Sequence, residues 1–187
     1  MQPVTEMYEL FILGKLMHRP MHGYLLQSII NAAMGPSRRL SWGTLYPLLR
    51  RLEKDSLIAA AQRGVSADGR GTRSYRTTAR GRQRFLELMR ATPVFDGEYR
   101  TVFHIRLSNF GHIGKKDRLA ILADYREFIA AIVCHFEAMT GQVVEAPGLE
   151  AAERPYVLKA IDYQRNLAAS EIAWVDALIR ETGGEHG

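Results

Sequence analysis

The sequence predicts a mainly α-helical chain: an N-terminal winged helix-turn-helix domain with a two-stranded wing, then a C-terminal long-helix dimerisation domain. Three observations lead there. Residues 41–58 set a leucine stripe against a small, cationic face; a basic, glycine-rich hairpin follows; and from Glu98 onward apolar residues recur with a helical period.

Residues 5–17 read as a helix that is apolar almost all round after Glu9, and so buried on most sides. His18 to Met21 is a break. A second helix opens at His22-Gly23-Tyr24 and runs to about Ala33, with Leu25, Ile29 and Ala32 inward and Gly35-Pro36 at its end. Ser41 is placed to cap the third helix. There Leu45, Leu48, Leu49 and Leu52 share one face; Gly43, Pro47, Arg50 and Lys54 lie opposite, with Thr44 and Arg51 on one shoulder and Tyr46 on the other. Pro47 stands past the first turn, where it removes a backbone bond at a cost of about 3 kcal/mol. The residue four before it is Gly43, so the helix start is slim enough for a nucleic acid to approach the peptide. A kinked core helix without a partner is the other reading.

Leu57–Arg63 and Thr72–Thr77 read as strands around the tip 64–71. In that wing Arg63, Arg70 and Arg73 either reach phosphates or an adjacent minor groove, or serve only to solvate a loop. Thr78 caps a fourth helix with Phe85, Leu88 and Met89 inward, and 91–97 is the domain joint. The expected domains are 1–92 and 98–182, with 183–187 a flexible tail.

In the second domain Tyr99, Val102, Phe103, Leu107 and Phe110 line a short helix. In the long helix Lys115–Thr140, Leu122, Ile129 and Phe136 recur every seven residues, as do Tyr125, Ile132 and Met139. A loop spans 141–150. Pro155 starts the last helix, Tyr156–Arg180, which repeats Ile161, Ala168, Ile172, Val175 and Ile179 in steps of seven, four, three and four. Leu122, Tyr125, Ile129, Ile132, Phe136, Ile172, Val175 and Ile179 are assigned to contact with a second copy in a symmetric dimer; an intramolecular antiparallel hairpin is the alternative. Trp174 reads as a dimer-core anchor or, near Phe11 or Tyr99, as part of a pocket for a small aromatic effector. Trp42 either packs as a lid on the small domain or lies along the DNA backbone.

The net charge of +5 is unevenly spread. Residues 1–37 are neutral, 38–90 carry thirteen Lys/Arg against four Asp/Glu, and 91–187 carry ten against fourteen. A basic middle that is nearly all arginine suits phosphate and guanine edges, which points to double-stranded DNA as partner. A winged-helix module for an acidic protein surface is the competing class. No run is long and apolar enough for a membrane span, no signal segment is read, and Cys134 is the single cysteine, so a cytoplasmic protein without disulfides is expected. His18 and His22 are four apart but straddle Pro20, and no third ligand lies nearby, so no metal site is expected. No catalytic constellation, phosphate-binding loop or cofactor motif appears.

His22-Gly23-Tyr24, then Leu40-Ser41-Trp42-Gly43-Thr44-Leu45-Tyr46-Pro47-Leu48-Leu49-Arg50-Arg51-Leu52-Glu53, Leu57-Ile58 and Arg73-Ser74-Tyr75-Arg76-Thr77-Thr78-Ala79-Arg80-Gly81 together resemble the PadR-like winged-helix transcription regulators. The resemblance is specific through about residue 90, and the helical tail is similar to the dimerisation region of the longer members. It implies a dimeric DNA-binding regulator, usually a repressor of nearby genes, sometimes released by an aromatic or drug-like molecule. It places Thr44, Tyr46 and Arg50 on the recognition helix, His22 and Tyr24 at the second helix start, and the wing at 63–73. Ser56 departs from the glycine common before Leu57-Ile58.

Overall fold

The computed structural model describes residues 2–35, 39–65, 71–92, 94–145, 148 and 150–184; for 2–4, 62–65, 71–72 and 145 it describes the backbone alone. Two compact units divide at Ile113 and Gly114.

The first unit begins with α1 (Gln2–His18), whose Met7, Leu10, Phe11, Ile12, Leu13 and Leu16 are all buried. A two-residue strand β1 (Met21–His22) precedes α2 (Gly23–Met34). The segment read as a plain break therefore adds a strand, and the sheet has three strands in the order β1-β3-β2 rather than two. Met21 pairs with Tyr75 and His22 with Ser74. In α2 the core takes Leu26 and Ile30, not the expected Leu25, Ile29 and Ala32, of which Ala32 is exposed. Both stripes are apolar and lie about 100° apart, so periodicity alone leaves the phase open. Gly23 decides it by letting Leu49 and Trp42 approach to 3.7 and 3.9 Å of where its Cβ would stand.

The third helix, α3 (Trp42–Lys54), buries Leu45, Leu48, Leu49 and Leu52, each worth about 1.5–3 kcal/mol in lost apolar hydration. That outweighs Pro47. The helix closes with the Ser56 N–H on the Glu53 carbonyl (2.9 Å) and the Leu57 N–H on Leu52 (2.8 Å), a Schellman turn with two buried leucines across it. Such a turn needs a left-handed residue, and Ser56 supplies it at φ 58°. Ser56→Gly is therefore expected to stabilise the protein by about 0.5–1 kcal/mol, read as a higher urea midpoint at unchanged slope.

Strands β2 (Ile58–Val65) and β3 (Gly71–Thr77) pair antiparallel, with an irregularity between Ala60 and Arg63. Thr78 then caps α4 (Ala79–Arg90), its hydroxyl accepting the Gly81 N–H at 3.0 Å, and Phe85, Leu88 and Met89 turn inward. This unit extends beyond residue 92, because α5 (Tyr99–Leu107) and a 3-10 turn (Phe110–His112) pack within it. Buried Arg106 donates to the carbonyls of Leu88 and Ala91, both at 3.0 Å, and so satisfies the end of α4. Asn109 fills the notch over Gly14 of α1, where a Cβ would stand 2.4 Å from its Oδ1.

The second unit is an antiparallel hairpin of α6 (Lys115–Glu145) and α7 (Arg154–Gly184). Lys115 Nζ reaches the Gly183 carbonyl at 2.6 Å, Arg126 pairs with Asp176 at 2.7 Å, Tyr125 bonds Glu171, and Arg165 pairs with Glu137 at 3.8 Å. The alternative held open above is thus the arrangement found. Leu122, Tyr125, Ile129 and Val175, assigned to a second copy, are buried inside one chain, and Ile132, Phe136, Ile172 and Ile179 are half-buried. What the hairpin leaves outside is a different stripe. Tyr156, Tyr163, Leu167 and Trp174 are 70%, 61%, 47% and 50% exposed, at steps of seven, four and seven along α7. Among the described residues, no helix is long and apolar enough to cross a membrane.

Candidate nucleic-acid interface

The outer side of α3 starts at Ser41, whose hydroxyl accepts the Thr44 N–H at 3.3 Å and meets Thr44 Oγ1 at 3.1 Å. Cap and threonine together fix the first turn. A Cβ on Gly43 would meet only Ser41 Oγ, at 3.7 Å, so the protein leaves this position open. With no N–H on Pro47, the Gly43 carbonyl lacks its usual donor four residues on. Gly43, Thr44, Tyr46, Arg50 and Lys54 are all exposed, and among the described residues neither Arg50 nor Lys54 makes an ion pair.

An aromatic ladder flanks that turn. Tyr24 stands edge-on to Trp42 with ring centroids 4.5 Å apart, and Trp42 lies 5.3 Å from Tyr46. Trp42 is half-buried beneath two exposed tyrosines, so packing and surface roles coincide in it. His22 caps α2, its Nδ1 accepting the Leu25 N–H at 3.1 Å, which leaves the ring proton on Nε2.

Two expected site residues are engaged elsewhere. Arg51 turns back to α1, where its Nη2 donates to Glu9 at 2.8 Å. Glu9 is buried and shared, since Arg84 Nε of α4 also donates to it at 2.8 Å and Glu6 adds a contact to Arg84 at 3.2 Å. Burial works against the Arg84 charge, but the hydrogen bonds it donates to Glu9 and Glu6, with their negative charge, outweigh it and raise its pKa. Arg51 thus fixes the rear of α3 rather than its exposed front. Arg73 is paired with Glu53 of α3, and its guanidinium lies 5.6 Å from the Tyr75 ring centroid. Arg63 stands opposite Arg73 in the sheet, with its side chain outside the described residues. Arg70 lies wholly outside them.

Within the first unit, the two aromatic residues considered for an effector line different cavities. Phe11 lines a cavity of about 310 Å³ with Lys15, Met34, His104 and Ile105, whereas Tyr99 lines another of about 110 Å³ with Met7, Leu10 and Arg106. Trp174 sits on the exposed stripe of α7. Sequence reasoning missed Glu9 and Glu53, because an ion pair between residues 42 or 20 positions apart leaves no periodic trace. The α7 stripe did leave one, in the spacing of Tyr156, Tyr163, Leu167 and Trp174.

Residues 12–87 match the family described as "Transcriptional regulator PadR-like family". The transcriptional regulator Rv3488 of Mycobacterium tuberculosis (strain ATCC 25618 / H37Rv) is 53% identical over 53 residues, 28% of this chain and 48% of that protein. The matched stretch thus spans about half the relative's length. The crystal structure of Bacillus subtilis PadR in complex with operator DNA is similar at 14% identity and a TM-score of 0.43, covering 93% of this chain and 98% of that one. That of the Bacillus cereus PadR-like regulator BC1756 covers 96% and 99%, at 19% identity and a TM-score of 0.39.

Proposed function

We propose that the chain, whose residues 12–87 match the PadR-like family of transcriptional regulators, is a sequence-specific DNA-binding regulator, acting as a homodimeric repressor on a pseudo-palindromic operator. The family is one of regulators, not enzymes. The observation that carries the reading is the front of α3, where Thr44, Arg50 and Lys54 stand exposed on a helix whose rear is held by four buried leucines and the Arg51–Glu9 pair. Thr44 and Tyr46 meet base edges, Arg50 a guanine edge or a phosphate, and Lys54, His22 Nε2–H and the wing arginines Arg63 and Arg70 the backbone, whereas Arg73 reaches a phosphate only by leaving Glu53. Ser41 and Gly43 act through the backbone, one by capping the helix and one by leaving room.

A homodimer would set two such helices in successive major grooves about 34 Å apart. The support for it is the α7 stripe, apolar and solvent-facing within one chain. A small aromatic effector would be taken up beside Phe11, in a cavity whose walls mix Phe11, Met34 and Ile105 with the polar Lys15, Thr101, His104 and Ser108.

The test is a salt titration of operator binding. Arg50→Ala and Lys54→Ala are each expected to shallow the slope of log K against log salt by about 0.9 for every phosphate left without its cation. Thr44→Ala should weaken discrimination against wrong bases about tenfold. Arg51→Ala should leave the slope alone and lower stability instead. Affinity indifferent to duplex sequence in every variant would replace this reading with a module for an acidic protein surface.

A further inference from the structure

Position 18 closes α1 and position 112 closes the 3-10 turn, and both carry histidine. Although 94 residues apart in sequence, their Nε2 atoms stand 3.0 Å from each other, with ring centroids 4.3 Å apart and planes inclined at 58°. His18 is exposed and His112 half-buried, so the pair opens to solvent. The edge contact with Phe85, 5.9 Å between centroids, holds the His112 ring from behind. Nothing in the DNA-binding reading uses this pair.

We propose that the two Nε2 atoms of His18 and His112 form a chelating site for a late first-row divalent cation, copper(II) first and nickel(II) after it. In the free chain one Nε2–H donates to the other ring. A metal ion takes the place of that proton once both rings adopt the Nδ1–H tautomer, a shift that releases no net proton. The spacing selects the ion. With metal–nitrogen bonds of about 2.0–2.1 Å, two nitrogens 3.0 Å apart subtend roughly 91–97° at the metal. That is the angle between neighbouring ligands in square-planar or octahedral coordination, which copper(II) and nickel(II) prefer, and it is tighter than a tetrahedral zinc centre takes. No group of three or more His, Cys, Asp or Glu ligands forms among the described residues, so water completes the coordination. Calcium and magnesium are disfavoured because they are held by carboxylate and carbonyl oxygens, and the pair offers imidazole nitrogens.

The experiment is titration of the untagged full chain with copper(II), nickel(II) and zinc(II) in a non-chelating buffer, followed by calorimetry and, for copper, electron paramagnetic resonance. One copper per chain is expected at micromolar concentration, with hyperfine splitting from two nitrogens and affinity falling from copper to nickel to zinc. His18→Gln and His112→Gln should each weaken copper binding at least tenfold, while His104→Gln and His135→Gln leave it unchanged. His18 is exposed, so its variant tests the site even if His112→Gln folds poorly. Copper retained by His18→Gln, or no copper bound at micromolar concentration, overturns the proposal.

Discussion

Trp174→Glu is expected to turn the proposed homodimer into a monomer and, with it, to cut operator affinity by about 100-fold or more. The indole is half exposed on α7, in line with Leu167, Tyr163 and Tyr156, and faces away from the seam that α7 closes on α6. A carboxylate there puts a charge at the centre of the only apolar strip the hairpin shows to solvent among the described residues. The hairpin itself should survive, because Ile161, Ala168 and Val175 on the buried side are untouched. A monomer binds one half-site at a time and loses the effective concentration that tethers the second reading head. Sedimentation velocity and a mobility-shift titration measure both outcomes. A Trp174→Glu chain that remains dimeric would place the contact elsewhere.

Gly81→Val should cost the first unit about 3 kcal/mol or more, a fall in Tm on the order of 10 °C, and DNA binding with it. Gly81 is the third residue of α4, pressed against the turn that leaves α3. A Cβ there would sit 2.0 Å from the Leu57 carbonyl oxygen and 2.6 Å from Thr77 Oγ1. The first of these is backbone and is fixed further by the Thr78 N–H, which donates to the same carbonyl at 3.1 Å. Neither neighbour can step aside without opening the joint between recognition helix, wing and α4. Thermal denaturation by circular dichroism checks this, and a Gly81→Val chain as stable as the parent would mean that the joint is looser than its distances imply.

Local signals carried much of this fold. The leucine side of α3, the caps at Ser41 and Thr78, and the inward trio of α4 each follow from residues within one or two turns of each other, and each is found in place. Periodicity shows which residues share a face but not what covers the face. So the repeats centred on Leu122 and Val175 read as a dimer seam, while the chain buries both in its own hairpin. The same blindness hides long-range polar pairing. Arg50 and Arg51 look alike in sequence, and only the carboxylate of Glu9, 42 positions before Arg51, separates a free guanidinium from a tied one. In the sequence His18 has only His22 near it, across Pro20, and the fold sets His112 against it instead. Strand β1, two residues long, is too short to show any alternation at all.

The ladder of Tyr24, Trp42 and Tyr46 also makes the molecule its own instrument. The chain has two tryptophans, and one of them lies between two tyrosines on the face proposed to meet the duplex. In a Trp174→Phe background, light emitted from this turn alone follows occupancy of the groove in real time, with no dye attached.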